Sequence, residues 1–131
     1  MSDHATTDTR EIIVEILLSL EKGQDFSHKL MKAVLDKYDY LDPREKAFIK
    51  RVTEGTIERQ LELDYYLDRF SSVPVRKMKP LIRCLLRMST YQILYMDAVP
   101  DSAVCNEACK LAVLVDKRRA NHNSYLAVIL S

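Results

Sequence analysis

Five basic side chains, Arg76, Lys77, Lys79, Arg83 and Arg87, fall between residues 71 and 96 with no acidic residue among them. Positions 76, 79, 83 and 87 are three or four apart, so a continuous helix would align them as one stripe. Such a stripe has the chemistry to grip phosphates. The same spacing also suits a solvated helix face whose arginines pair with acids between residues 54 and 68. Arg87, deepest in the apolar part of the segment, suits a structural role in particular. A second cluster, Lys117, Arg118 and Arg119, falls in a polar connection, where loop side chains are free to reach a partner. Aromatic groups for stacking on bases would come from Tyr38, Tyr40, Tyr65 or Tyr66, although tyrosines at helical spacing more often sit in the core or at its rim.

Other reactive types assemble into nothing catalytic. Cys105 and Cys109 lie one helical turn apart with His122 further on, but two thiols and one histidine fall short of a structural zinc set. Their place in an amphipathic segment makes them small core residues instead. Cys84 has no His-Asp pair or glycine-flanked turn to activate it. His4, His28 and His122 are scattered. With glycine only at 23 and 55, the chain lacks the clusters from which phosphate-cradling loops are built. No catalytic residue, metal or cofactor is therefore expected.

The elements that must carry the basic residues read as helices throughout. Asp8 and Glu11 stand at capping-box spacing ahead of Ile12, Ile13, Ile16, Leu17 and Leu20, an apolar helical face that runs to Gly23. Ser27 caps a second helix with Leu30, Met31, Val34, Leu35 and Tyr38 on its inner side. Asp42, Pro43 and Glu45 combine a cap, a proline at the first helical position and the reciprocal glutamate. The pattern continues through Phe48, Val52, Leu63 and Phe70, as one helix or two, with Gly55 a weak point or a site of close packing. Residues 71–74 read as a linker, and 79–96 as a central helix with Ile82, Leu85, Leu86, Ser89 and Ile93 on one side. Two further helices are expected at 103–115 and 124–130. No stretch alternates long enough to make a sheet. The expectation is an all-α bundle of six or seven helices, a single domain over residues 8–131 behind a mobile tail at 1–7.

The 131 residues and 47% hydrophobic content suit one compact domain. Twenty basic residues nearly cancel nineteen acidic ones, so only local charge argues for a nucleic-acid partner. No apolar run approaches the roughly 18 residues that cross a bilayer. Three cysteines behind a polar start, without a signal-type segment, suggest reduced thiols and a cytoplasmic location.

The succession LRMSTYQIL at 86–94, followed by VPDSAVCNEACKLA at 99–112, resembles the NusB family in order and spacing. Arg10 and Glu11, then Glu54, Gly55 and Thr56, then Leu63 and Asp64, extend the similarity across most of the chain. DPREKAF at 42–48 and the Tyr91-Gln92 pair resemble more closely the amino-terminal RNA-binding domain of bacterial 16S rRNA cytosine-5 methyltransferases, with the free transcription antitermination factor as the other match. The segment 113–131 departs from the family's usual ending. The resemblance implies a non-catalytic domain that binds rRNA or a nascent transcript. It implies a basic amino-terminal end of the first helix, where Arg10 alone matches. The RNA contacts are expected at Arg10, Arg76, Lys77, Lys79, Arg83, Lys117, Arg118 and Arg119. The other reading is a protein-interaction module that binds a ribosomal protein or transcription factor, or pairs with itself as a homodimer.

Overall fold

The computed structural model describes residues 9–23 and 25–96. Within them the elements are α1 (Thr9–Glu21), α2 (His28–Lys37), α3 (Pro43–Glu58), α4 (Gln60–Phe70), a single 3-10 turn (Val75–Lys77) and α5 (Pro80–Tyr95). Every regular element among the described residues is helical, as the periodicity implied. The tail at 1–7, the cap at Asp8 and the helices expected at 103–115 and 124–130 lie outside the described residues.

Three starts are dictated locally. Ser27 is extended, and its Oγ accepts the Leu30 amide at 3.0 Å. At α3 the box closes both ways: Asp42 Oδ1 accepts the Glu45 amide at 2.8 Å, and the Asp42 amide donates to Glu45 Oε1 at 3.2 Å. These bonds satisfy amides that the first helical turn leaves without partners. Pro80 opens α5, where its missing N–H costs nothing.

Helix α1 is the axis of the core. Ile12, Ile13, Val14, Ile16, Leu17 and Leu18 are all buried, a wider face than one amphipathic stripe, because α3 and α5 both pack against it. Ile49 and Val52 of α3, Leu63 of α4, and Leu81, Cys84, Leu85 and Met88 of α5 complete the same cluster, with Met31 reaching in from α2. The 43–70 pattern resolves as two helices. Their junction is Arg59, four residues past Gly55, whose amide still bonds the Gly55 carbonyl at 3.0 Å.

Gly55 itself is a packing site. A Cβ there would collide with the ring of Tyr91, which lies buried against the α3 backbone and beside Tyr95 at 5.4 Å between ring centroids. This slot helps set the rotation of α5. Its buried positions are 81, 84, 85, 88, 89, 91 and 92, so of the expected face 82, 85, 86, 89 and 93 the structure buries 85 and 89 and corrects the other three. Ile82 and Leu86 are half-buried and Ile93 is exposed. Gln92 occupies the core instead, its amide answered by the Met88 carbonyl at 3.1 Å.

An alanine at Gly55 would gain up to about 1 kcal/mol of helix propensity, while overpacking costs typically about 1–3 kcal/mol. Gly55→Ala is therefore expected to lower the denaturation midpoint. A midpoint raised by the substitution would show that the Tyr91 ring is not wedged at this position.

Candidate functional site

The basic segment does not form one stripe. Arg76 and Lys77 ride on the 3-10 turn, Lys79 is extended ahead of Pro80, and only Arg83 and Arg87 stand on α5. The turn is pinned from both sides. Asp68 Oδ1 accepts the Val75 amide at 2.8 Å, and Arg83 Nη1 donates to the carbonyls of Val75 at 3.1 Å and Met78 at 2.9 Å.

The two helical arginines turn inward. Arg83 forks onto Glu21 at the end of α1, through Nε at 2.7 Å and Nη2 at 2.8 Å. Arg87 forks onto Asp64 of α4 at 2.7 and 2.8 Å and also reaches Glu21 at 3.3 Å. Their side chains are 15% and 12% exposed. Bidentate guanidinium–carboxylate pairs in such partly desolvated places are strong because geometry and charge act together. The Arg83 hydrogen bond holds the Glu21 carboxyl below its ordinary value of 4.5 against the opposing effect of burial, and Glu21 in turn raises Arg83.

The acids expected between 54 and 68 thus supply one partner, Asp64. The other, Glu21, lies 62 residues from Arg83 along the chain. Sequence reasoning missed it, since nothing local marks that pairing. The network lines a cleft of about 720 Å³ whose walls include Leu17, Phe26 and Thr56.

What remains outward is a corner. Arg76 and Lys77 are exposed and Lys79 is half-buried, and none of the three forms an ion pair with a described residue. Arg10, at the start of α1, lies with its guanidinium 5.1 Å from the centroid of the Phe48 ring on α3. Among the tyrosines, Tyr40, Tyr65 and Tyr66 are exposed while Tyr38 packs against the core. Tyr65 and Tyr66 meet edge to face at 5.6 Å, and Arg69 donates to the Tyr65 hydroxyl at 3.1 Å. Cys84 is buried in the core. Lys117, Arg118, Arg119, Cys105, Cys109 and His122 lie outside the described residues.

A helical bundle that pairs Arg83 and Arg87 inward while a turn displays Arg76 and Lys77 has the character of a binding domain, and the comparisons name its kind. The NusB family profile matches residues 7–123. The chain belongs to the NusB family. It is 36% identical over 106 residues to the probable ribosomal RNA small subunit methyltransferase B of Bacillus subtilis, covering 81% of this chain but 23% of that protein. It is 28% identical over 120 residues to the transcription antitermination protein NusB of Macrococcus caseolyticus, covering 91% of this chain and 86% of the relative. The chain therefore spans about a quarter of the methyltransferase relatives it matches. No solved structure matches it significantly. No helix among the described residues is long and apolar enough to cross a membrane.

The depressed Glu21 carboxyl fixes a pH dependence. Its contribution to stability is fully present above about pH 4.5, the ordinary value, and is lost as pH falls through the lower native one. Urea midpoints followed down into acid should show this limb, and Glu21→Gln should flatten it. An unchanged limb in that variant would refute the assignment. Arg83→Ala should cost roughly 3 kcal/mol, the lower end for a buried pair losing one partner. Arg83→Lys should recover only part of this, because an ammonium cannot make the fork.

Proposed function

We propose that the chain is an RNA-binding domain of NusB type, without catalysis of its own. It serves either as the amino-terminal part of an rRNA methyltransferase or as a free antitermination factor, in the cytoplasm, on rRNA or a nascent transcript. The observation that carries this is the outward corner of Arg76, Lys77 and Lys79, whose charges no described acid neutralises. The family's names support it: the relatives act on ribosomal RNA or in transcription antitermination. Arg83 drops from the first rank of contacts, since its donors already serve Glu21, Val75 and Met78. Arg10, Lys117, Arg118 and Arg119 stay as flanking contacts.

A second reading rests on a different surface. Leu61 and Tyr65, four residues apart and so on one face of α4, are 87% and 57% exposed. Large apolar side chains displayed on one helix suit a protein partner such as a ribosomal protein, a transcription factor or a second copy.

Titration of labelled small-subunit rRNA fragments across a salt series separates the two. Arg76→Glu, Lys77→Glu and Lys79→Glu together should weaken binding and flatten the dependence of log K on log salt by up to about 2, at roughly 0.7 per phosphate contact on a single strand. Binding of a protein partner should survive the same changes. Absence of RNA binding by the unaltered chain at low salt would sink the first reading.

A further inference from the structure

The turn at 75–79 is not the only outward concentration of positive charge. Between residues 28 and 51 lie Lys29, Lys32, Lys37, Arg44, Lys46, Lys50 and Arg51 against Asp36, Asp39, Asp42 and Glu45. The fold gathers part of this excess. Helices α2 and α3 border a groove of about 280 Å³ with His28, Lys32 and the carboxylate of Asp36 on the α2 side and Lys46 and Lys50 on the α3 side, three lysines against one acid. Its base includes Met31, which is buried, and Leu35, which packs on the core.

The charges in this groove are unevenly answered. Lys32 pairs with Asp36 at 3.0 Å, both side chains largely in solvent, where such a pair holds weakly. Lys46 and Lys50 form no ion pair with any described residue. They stand four residues apart on α3, so they neighbour and repel one another. An anion bound along the groove would remove that repulsion. A row of ammonium groups above an apolar base matches the chemistry of a single nucleic-acid strand, with phosphates toward the lysines and the less polar sugar and base surfaces toward Met31 and Leu35.

We infer that the groove between α2 and α3 is a second RNA contact, in which Lys32, Lys46 and Lys50 hold the phosphates of a single strand. This rests on the RNA-binding reading above and adds a surface to it. The groove supplies affinity through phosphates and carries no base readout of its own.

The test uses the full chain and a short fluorescent oligouridylate, titrated at several salt concentrations. Lys46→Gln with Lys50→Gln should weaken binding about tenfold at low salt and reduce the salt slope by about 1.4. Its thermal midpoint should not fall, because the substitutions also remove a like-charge pair. If affinity and slope are unchanged in this variant while Arg76→Glu with Lys77→Glu lowers both, the groove is refuted and the RNA reading stands. If the unaltered chain does not bind the oligonucleotide at low salt, both fall. If polyglutamate competes as well as unlabelled oligouridylate at equal charge, the groove is a general anion surface and the inference is overturned.

Discussion

The carboxylate of Glu21 ties the end of α1 to α5 and, through its two arginine partners, to the 3-10 turn and to α4. Through Arg83 it fastens the end of α1 to α5 and, by the same guanidinium, to the carbonyls of the 3-10 turn; through Arg87 it reaches Asp64 on α4. Charges this far out of water are costly unless geometry and remaining hydrogen bonds are satisfied. Here two forks use most of the donors of both arginines. The outward direction of Arg76 and Lys77 follows, since the turn that carries them is positioned by Arg83 and by Asp68. A second tie works at the other end of α5. The Tyr95 hydroxyl bonds Glu62, Arg59 lies 4.4 Å from the centroid of the Tyr95 ring, and Arg51 donates to the Tyr95 carbonyl at 3.1 Å.

How far the fold could be read in advance depended on the range of the forces involved. Ser27 and the box at Asp42 and Glu45 act within one helical turn, and each stands where the spacing put it. The rotation of α5 was not readable in that way. Ile82, Leu86 and Ile93 are the more apolar side chains, yet Cys84, Tyr91 and Gln92 are the buried ones. Gln92 is buried with its amide nitrogen donating to the Met88 carbonyl, and Tyr91 is buried because Gly55 leaves it room. Both conditions belong to backbone and tertiary geometry, which hydropathy does not carry. The basic residues divide in the same manner: their clustering is a property of the sequence, but which of them face inward depends on Glu21.

Net charge conceals this arrangement. A sum of +1 arises from regions of opposite sign. Helix α4 carries Glu62, Asp64 and Asp68 against Arg69, whereas residues 71–96 hold five cations and no anion. Folding cancels Asp64 against Arg87 and Glu21 against Arg83. Acidic and basic segments thus neutralise each other where they are partly buried, and the residual positive charge is left on the turn and on the α2–α3 face. A polyanion meets this local field, screened beyond about 10 Å at moderate salt, rather than the sum.

The division between arginine and lysine follows the same logic. A planar guanidinium gives directed, paired bonds and loses little in being fixed, so it suits the interior forks at 83 and 87. A lysine ammonium is a mobile, strongly hydrated point charge, suited to phosphates that need attraction without fixed orientation. Lys32, Lys46, Lys50, Lys77 and Lys79 are all outside that network. Such a surface binds by charge and yields to salt. It attracts a polyanion without fixing its orientation, and the exposed rings among the described residues, Tyr40, Tyr65 and Tyr66, are of the type that stacks on bases.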